Sequence, residues 1–324
     1  MTLNISYHKN IILIPVYNDW DALACTLKDI KQTFSGHALG KPYLVIVNDG
    51  STGTISDECL DATGKELTML HLHRNLGHQK AIATGLSYIH DHFHFDKLIV
   101  MDSDGEDMPQ NIPDLLQSSS ATPEKIILAK RTHRKEGILF QLLYRFYKLF
   151  FYALTGKKIA FGNFCVLSKT HVDQLVYYTE IWNSVTGGIL KSGITFSSIP
   201  IPKGTRYKGK SKMNLTTLIV HGLNTISVFI ETISVRILIL SFVIIIFSIM
   251  CIMAISFIKI FTPYAISGWA SILASSMLVI LLQSFLISLV MIVIFLSSQS
   301  QRKLIPAHHY TDYLQRSENI INEQ

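Results

Sequence analysis

The sequence predicts an α/β domain built on a mixed, mostly parallel sheet with flanking helices, then interfacial helices and a two-helix transmembrane hairpin. Three observations predict it. Short apolar runs alternate with helix-like stretches through the first half of the chain, polar loops close four successive runs, and two long uncharged segments stand near the C-terminus.

Taken in order, Ile11–Val16, Tyr43–Val47, Leu67–Leu72, Lys97–Met101 and Ile126–Ala129 read as strands, and Asp21–Thr33, Ile55–Ala62 and Lys80–His90 as helices. In parallel sheets of this kind ligands bind beyond the carboxyl ends of the strands. Those ends carry Pro15-Val16-Tyr17-Asn18, Asn48-Asp49-Gly50-Ser51, His73-Arg74-Asn75-Leu76-Gly77-His78 and Asp102-Ser103-Asp104-Gly105-Glu106-Asp107. No G-x-G-x-x-G occurs, so a dinucleotide site has no support.

The fourth loop packs four carboxylates into six residues after an apolar run. Their repulsion calls for a counter-charge, and hard oxygen donors suit Mg²⁺ or Mn²⁺. Asp102 and Asp104 share a face if the strand persists, and Glu106 adds a third oxygen donor. A solvated acidic turn is the alternative on spacing alone.

Ile237–Ile258 is uncharged for 22 residues, roughly 33 Å of helix, enough for a bilayer core. A second uncharged run covers 260–301 and is densest over 271–296. Arg236, Arg302 and Lys303 flank the pair, whereas the intervening loop holds only Lys259. The positive-inside rule then places the α/β domain and both termini in the cytoplasm. The expected organisation is a cytoplasmic domain over 1–212, a juxtamembrane interfacial helix over 213–236, spans over 237–258 and 271–296, and a cytoplasmic tail over 297–324. No C-x-x-C pair occurs among the four cysteines, as suits a reducing compartment.

Charge is zoned. Residues 1–124 carry −8, residues 125–236 carry +13 and residues 237–324 carry +1. The basic stretch interleaves cations with Phe140, Tyr144, Phe146, Tyr147, Phe150, Phe151 and Tyr152. Beside a membrane hairpin, this reads as an interfacial helix over 137–154 rather than a nucleic-acid surface.

Ile14-Pro15-Val16-Tyr17-Asn18, Asn48-Asp49-Gly50-Ser51, Arg74-Asn75-Leu76-Gly77, Asp102-Ser103-Asp104 and Arg206…Gly209…Ser211-Lys212, in that order, resemble the family 2 glycosyltransferases. The likeness lies with their polyisoprenyl-phosphate branch, that of dolichol-phosphate mannose synthase and the undecaprenyl-phosphate sugar transferases. It covers residues 10–300 and implies a GT-A-like, Rossmann-type fold. It also implies transfer of a sugar, with inversion, from a nucleotide-diphosphate sugar (UDP favoured over GDP) to undecaprenyl or dolichyl phosphate. The resemblance places Pro15, Tyr17, Asn18, Ser51, Asn75, Gly77, Lys80, Asp102 and Ser103 around the donor, and Asp49 on its base. Asp102, Asp104 and Glu106 hold Mg²⁺ or Mn²⁺, with Glu106 standing where relatives often have Gln and Asn48 where they often have Asp. Arg131, Arg145, Arg206, Ser211 and Lys212 are the expected acceptor or phosphate ligands, with Arg206 and Lys212 open to either the donor diphosphate or the acceptor, and the catalytic set is Asp102, Asp104, Arg131 and Arg206. A bacterial inner-membrane homo-oligomer, dimer or tetramer, is expected, with no nucleic-acid partner. Relatives that polymerise chains carry Q-x-x-R-W; none of Trp20, Trp182 and Trp269 follows an Arg, which argues against polymerisation.

A phosphate acceptor, with a second pKa near 6, needs no general base. A sugar-hydroxyl acceptor on a lipid-linked glycan needs one, and Glu180 is the candidate. Two rival readings remain. Gly204–Ser211 fits G-x-x-x-x-G-K-[ST], although Pro200 and Pro202 suit a central strand poorly. A non-catalytic nucleotide-sugar or lipid binder is the other. His90, His92 and His94 alternate and read as solvated rather than as metal ligands.

Overall fold

The computed structural model describes residues 6–37, 39–53, 67–132, 138–158, 162–208, 215–262, 268–300 and 303–320; among residues 138–144, 215–218 and 221 only the helical backbone is described. They divide into two compact units, 1–148 with 157–228 and 303–324, and 149–156 with 229–302.

The larger unit is built on eight strands: β1 (Ser6–Val16), β2 (Tyr43–Asn48), β3 (Leu67–Leu72), β4 (Phe93–Val100), β5 (Ile126–Arg131), β6 (Cys165–Ser168), β7 (Phe196–Ile201) and β8 (Leu314–Ile320). Their order is β7-β5-β6-β4-β1-β2-β3-β8. β1 pairs in parallel with β2 and β4, β2 with β3, and β5 with β7; β6 and β8 run antiparallel to their neighbours. The four strands with polar ends are therefore contiguous and parallel, which delivers their loops to one edge.

Alternation along β1 explains the two-sided core. Ile11 and Leu13 face one layer with Ala81, Ile82, Leu86 and Ile89 of the helix His78–His92. Ile12 and Ile14 face the other, with Leu23, Leu27, Ile30 and Phe34 of the helix Trp20–Gly36, a spacing of three and four that forms one helix stripe. Strands buried on both faces read as continuous apolar runs, as these do.

β8 was absent from the sequence reading. It follows the apolar helices, yet it lies on β3, with Thr68 donating to Asn319 Oδ1 at 2.8 Å. Just before it, Leu304 O accepts the indole N–H of Trp182 at 2.7 Å. Residues on both sides of the apolar helices thus belong to one folded body.

In the second unit, Ile230–Phe261 and Trp269–Ser300 are 32-residue helices long and apolar enough to cross a membrane. They pack on each other, and Ser234, Ser241 and Ser248, seven apart, are among the few buried side chains. Small side chains at such spacing allow close helix approach. The stretch expected as a juxtamembrane helix over 213–236 is a separate helix, Leu215–Ser227, followed by a break before Ile230.

Candidate active site

The first three loops are bound to one another by side chains. Asn48 Oδ1 accepts from Ser51 N–H at 2.9 Å, Ser51 Oγ accepts from Asn18 N–H at 2.9 Å, and Asn18 Oδ1 accepts from Thr52 N–H at 2.8 Å. Asn18 holds φ 49°, a left-handed conformation that Asn tolerates better than most residues. Gly50, at φ 70°, lies against the third loop; a Cβ there would stand 2.5 Å from the Arg74 carbonyl carbon and the Asn75 nitrogen. Only glycine allows that approach.

Asp49 is buried, and its two carboxylate oxygens accept from the backbone N–H groups of Leu76 (2.7 Å) and Gly77 (3.0 Å). Burial raises its pKa, opposed by those two N–H bonds. Its observed contacts brace the second loop to the third, whereas the resemblance assigned it to the nucleotide base. Pro15 is buried within β1, Tyr17 is exposed, and Asn75 Oδ1 accepts locally from Gly77 N–H at 3.0 Å.

At the end of β4 the four carboxylates part company. Asp102 lies 3.1 Å from His78 Nε2, at the start of the helix His78–His92. Asp104 accepts from Glu106 N–H at 2.9 Å and from Arg206 Nη1 at 3.0 Å. Glu106 turns to Arg131 (3.0 Å) and Lys203 (3.2 Å). Asp107, almost wholly buried, accepts from Arg131 Nη2 at 2.9 Å and from Asp102 N–H at 3.1 Å. Burial and the nearby Asp102 charge push Asp104 up to about 6. Burial also pushes Asp107 up, with Asp102 adding to it and the guanidinium of Arg131 opposing. His78 is raised as well: burial alone would lower it, and the carboxylate of Asp102 outweighs that.

Residues 202–208 lie over this loop. Gly204 N–H donates to Glu106 O at 2.9 Å, and Tyr207 N–H to Asp104 O at 3.1 Å. Gly105, at φ 87°, leaves room for the ring of Tyr207, whose hydroxyl donates to Asp29; Arg206 also reaches Asp19. This strap starts from β7, an edge strand, where Pro200 is tolerated. Its glycine is packed against the acidic loop, which disfavours the phosphate-cradle reading of Gly204–Ser211; Gly209, Lys210 and Ser211 lie outside the described residues.

Of the other predicted residues, Ser103 is buried and its carbonyl accepts from Thr26 at 2.9 Å. Lys80 extends over the ring of Tyr313, 5.8 Å from its centroid, toward the C-terminal segment. Arg145 is exposed on the helix Ile138–Thr155. Ser211 and Lys212, and the helix expected over 55–62, lie outside the described residues. Arg131 is bound by Glu106 and Asp107, so its observed partners are the acidic loop's own carboxylates. Glu180 pairs with Lys191 at 2.8 Å; although burial raises its pKa, that lysine's hydrogen bond holds it below the usual value. His90 pairs with Asp173 at 2.7 Å and His92 bonds the carbonyl of Tyr88, so the alternating histidines do not converge. No role was expected for His78, Asp19, Asp107, Lys203 or Tyr207, although His78 and Asp107 stand in strand-end loops.

Among the described residues no three His, Cys, Asp or Glu side chains form a ready-made metal cage. Asp102 and Asp104 remain as hard donors at the loop's rim, and Mg²⁺ is commonly bound by one or two carboxylates together with substrate phosphates. The donor set therefore fits a cation that arrives with a diphosphate. Glu106, the expected third ligand, is paired with Arg131 and Lys203.

Several known proteins are similar to this chain. The undecaprenyl-phosphate 4-deoxy-4-formamido-L-arabinose transferase of Enterobacter sp. (strain 638) is 27% identical over 229 residues, 68% of this chain and 67% of that protein. The uncharacterized glycosyltransferase YkcC of Bacillus subtilis is 25% identical over 291 residues, 86% of this chain and 85% of its own. Among solved structures, glucosyl-3-phosphoglycerate synthase of Mycobacterium tuberculosis aligns with a TM-score of 0.51 at 13% identity, covering 69% of this chain and 79% of that one, a likeness of fold that makes this domain GT-A-like. The family profile Glycosyl transferase family 2 matches residues 11–172, half of the chain and all of the strand-end loops described above, and the protein belongs to that family.

Proposed function

We propose that this glycosyltransferase is membrane-bound and moves a sugar from a nucleotide-diphosphate sugar, preferably a UDP-sugar, to polyprenyl phosphate with inversion. The observation that carries the reading is the pairing of Asp102 and Asp104 at the donor edge with a chain whose apolar helices leave and return to the same sheet. Because β8 follows those helices and lies on β3, the flanking segments share one side of any membrane the helices cross. That supports a hairpin with both flanks on one face, and Arg236, Arg302 and Lys303 beside the helices favour the cytoplasmic one. Exposed Phe146 and, on the neighbouring helix, Ile219, Val220 and Leu223 support contact with the bilayer surface. The curated relative from Enterobacter is named for undecaprenyl phosphate, and the Mycobacterium structure holds Mn²⁺ with UDP-glucose. Both support the choice of acceptor, cation and nucleotide.

A divalent cation held by Asp102 and Asp104 would supply Lewis-acid neutralisation of the departing diphosphate. The chain's own residues do the rest. The braced loops around Asp49 fix the donor edge in advance, so little reorganisation is needed on binding. Lys203 and Arg206 bring positive charge to the same rim. The acceptor phosphate, largely dianionic at pH 7, attacks the anomeric carbon without a base. Glu180, with its carboxylate taken up by Lys191 and its pKa lowered, is a weakened base for a hydroxyl acceptor.

The test is incubation of purified protein with labelled UDP- and GDP-sugars, Mn²⁺ and vesicles containing polyprenyl phosphate. Label should enter the organic extract, and Asp104→Ala should reduce it by at least a hundredfold. Label confined to the aqueous phase for every donor would refute the reading, as would an undiminished Asp104→Ala.

A further inference from the structure

Asp19 immediately precedes the helix Trp20–Gly36, the position where an aspartate ordinarily accepts from the first free N–H groups of a helix. Here its side chain makes no such cap. It is turned instead to the guanidinium of Arg206, which it shares with Asp104; the two contacts use different nitrogens, Nη2 and Nη1. The third guanidinium position, Nε, donates to the carbonyl of Lys208 at 3.0 Å. Arg206 is thus held from three sides, and one of its partners is a carboxylate that a divalent cation would need.

Two cations cannot both use the same carboxylate oxygen at full strength. The guanidinium offsets the charge of Asp104 at Oδ2, while Oδ1 accepts from the Glu106 N–H, so a cation that takes Oδ2 competes with the arginine. Nothing in that exchange requires the strap to leave. The backbone bonds Gly204–Glu106 and Tyr207–Asp104 involve no Arg206 side-chain atom, and Tyr207 is separately anchored to Asp29. What decides where the displaced guanidinium goes is its second carboxylate partner.

We propose that Arg206 is the internal counter-ion of Asp104 in the cation-free protein, and that Asp19 is a positioning residue that retains the guanidinium at the rim once a divalent cation takes Asp104. Retained there, the arginine is a second positive group for the oxygens of a diphosphate, to which its planar fork is suited. The proposal rests on the preceding reading only in taking Asp104 as a cation ligand.

The experiment is titration of the full-length, detergent-solubilised protein with Mn²⁺ alone, followed by electron paramagnetic resonance of the free ion. Arg206→Ala should bind Mn²⁺ about three- to tenfold more tightly than wild type, because the competitor is gone. Asp19→Ala should bind it about threefold more weakly, because the guanidinium has lost its alternative partner; Asp19→Glu should restore wild-type affinity. In the Arg206→Ala background, Asp19→Ala should have no further effect, the non-additivity expected of residues acting through one another. An unchanged or weaker Mn²⁺ affinity in Arg206→Ala overturns the proposal. So does Asp19→Ala weakening binding equally in both backgrounds, which would make Asp19 a mere source of negative charge, or wild type that binds no Mn²⁺. Arg206→Gln and Asp19→Asn, closer in volume, give the same comparison if an alanine variant does not fold. Because no sugar donor or lipid is present, these results stand apart from the extraction assay: label absent from lipid refutes the transferase reading and leaves the counter-ion exchange to the Mn²⁺ data.

Discussion

Arg131 Nη2 stands 2.9 Å from the carboxylate of Asp107, which is 2% exposed, while its other terminal nitrogen holds Glu106 at 3.0 Å. One guanidinium at the end of β5 thus fixes two side chains of the loop that follows β4. Removing one partner of a buried pair strands the other charge and typically costs about 3–5 kcal/mol. Arg131→Ala should therefore destabilise the protein by about that much, read as a lower thermal midpoint of the purified protein. Arg131→Lys should recover only part of it, since an ammonium does not reproduce a two-carboxylate fork. An unchanged midpoint for Arg131→Ala would return this residue to the substrate-binding role expected of it.

Asp49 makes a separable case. Asp49→Ala leaves the Leu76 N–H without this partner, at about 1–3 kcal/mol where it is buried, and leaves the Gly77 N–H to Asn75 Oδ1. Thermal stability should fall in the absence of any nucleotide. Loss of nucleotide affinity at wild-type stability would show instead that the side chain serves the donor alone.

Asp104 predicts a pH signature. Its folded pKa, about 6, lies above the ordinary value of 3.8, so ionisation is costlier in the folded state. For a raised carboxyl, the favourable contribution is present below the unfolded pKa and is lost as pH rises through the folded one. Asp104→Asn should thus stabilise the cation-free protein above pH 6, by up to roughly 3 kcal/mol, with the gain fading toward pH 4. Thermal midpoints across pH 4–8 check this. A gain independent of pH would rule out titration as its cause.

Glu180 separates the two acceptor chemistries. Paired to Lys191 at 2.8 Å, it is structural in this account, and Glu180→Gln should keep turnover within about threefold while lowering stability slightly. A loss of three orders of magnitude with donor binding intact would point to a hydroxyl acceptor and a base.

The strands β1 to β5 were legible because burial leaves apolar runs such as Ile11–Val16, and the polar loops after β1 to β4 marked the functional edge. β6 and β8 were not. β6 has four residues, and β8 shows no apolar alternation because one edge and much of its surface are exposed. Pairing at a distance of some 250 residues, as between Thr68 and Asn319, leaves no local pattern. The site showed the same division. Residue types and spacing located the acidic loop, but which of many cations would face it depended on the sheet order that brings β5 and β7 beside β4 through β6. Arg131 consequently went to Asp107 and Glu106, Arg206 to Asp104 and Asp19, and Lys80 away to Tyr313.

The central claim is a single displacement of the nucleoside diphosphate by a lipid phosphate. Phosphorus-31 NMR of a reaction of purified protein, UDP-sugar, Mn²⁺ and polyprenyl phosphate tests it most directly. The account predicts that the lipid monoester signal is replaced by a phosphodiester, one-for-one with released UDP. A lipid diphosphate accompanied by UMP, or UDP released while the monoester persists, would contradict it.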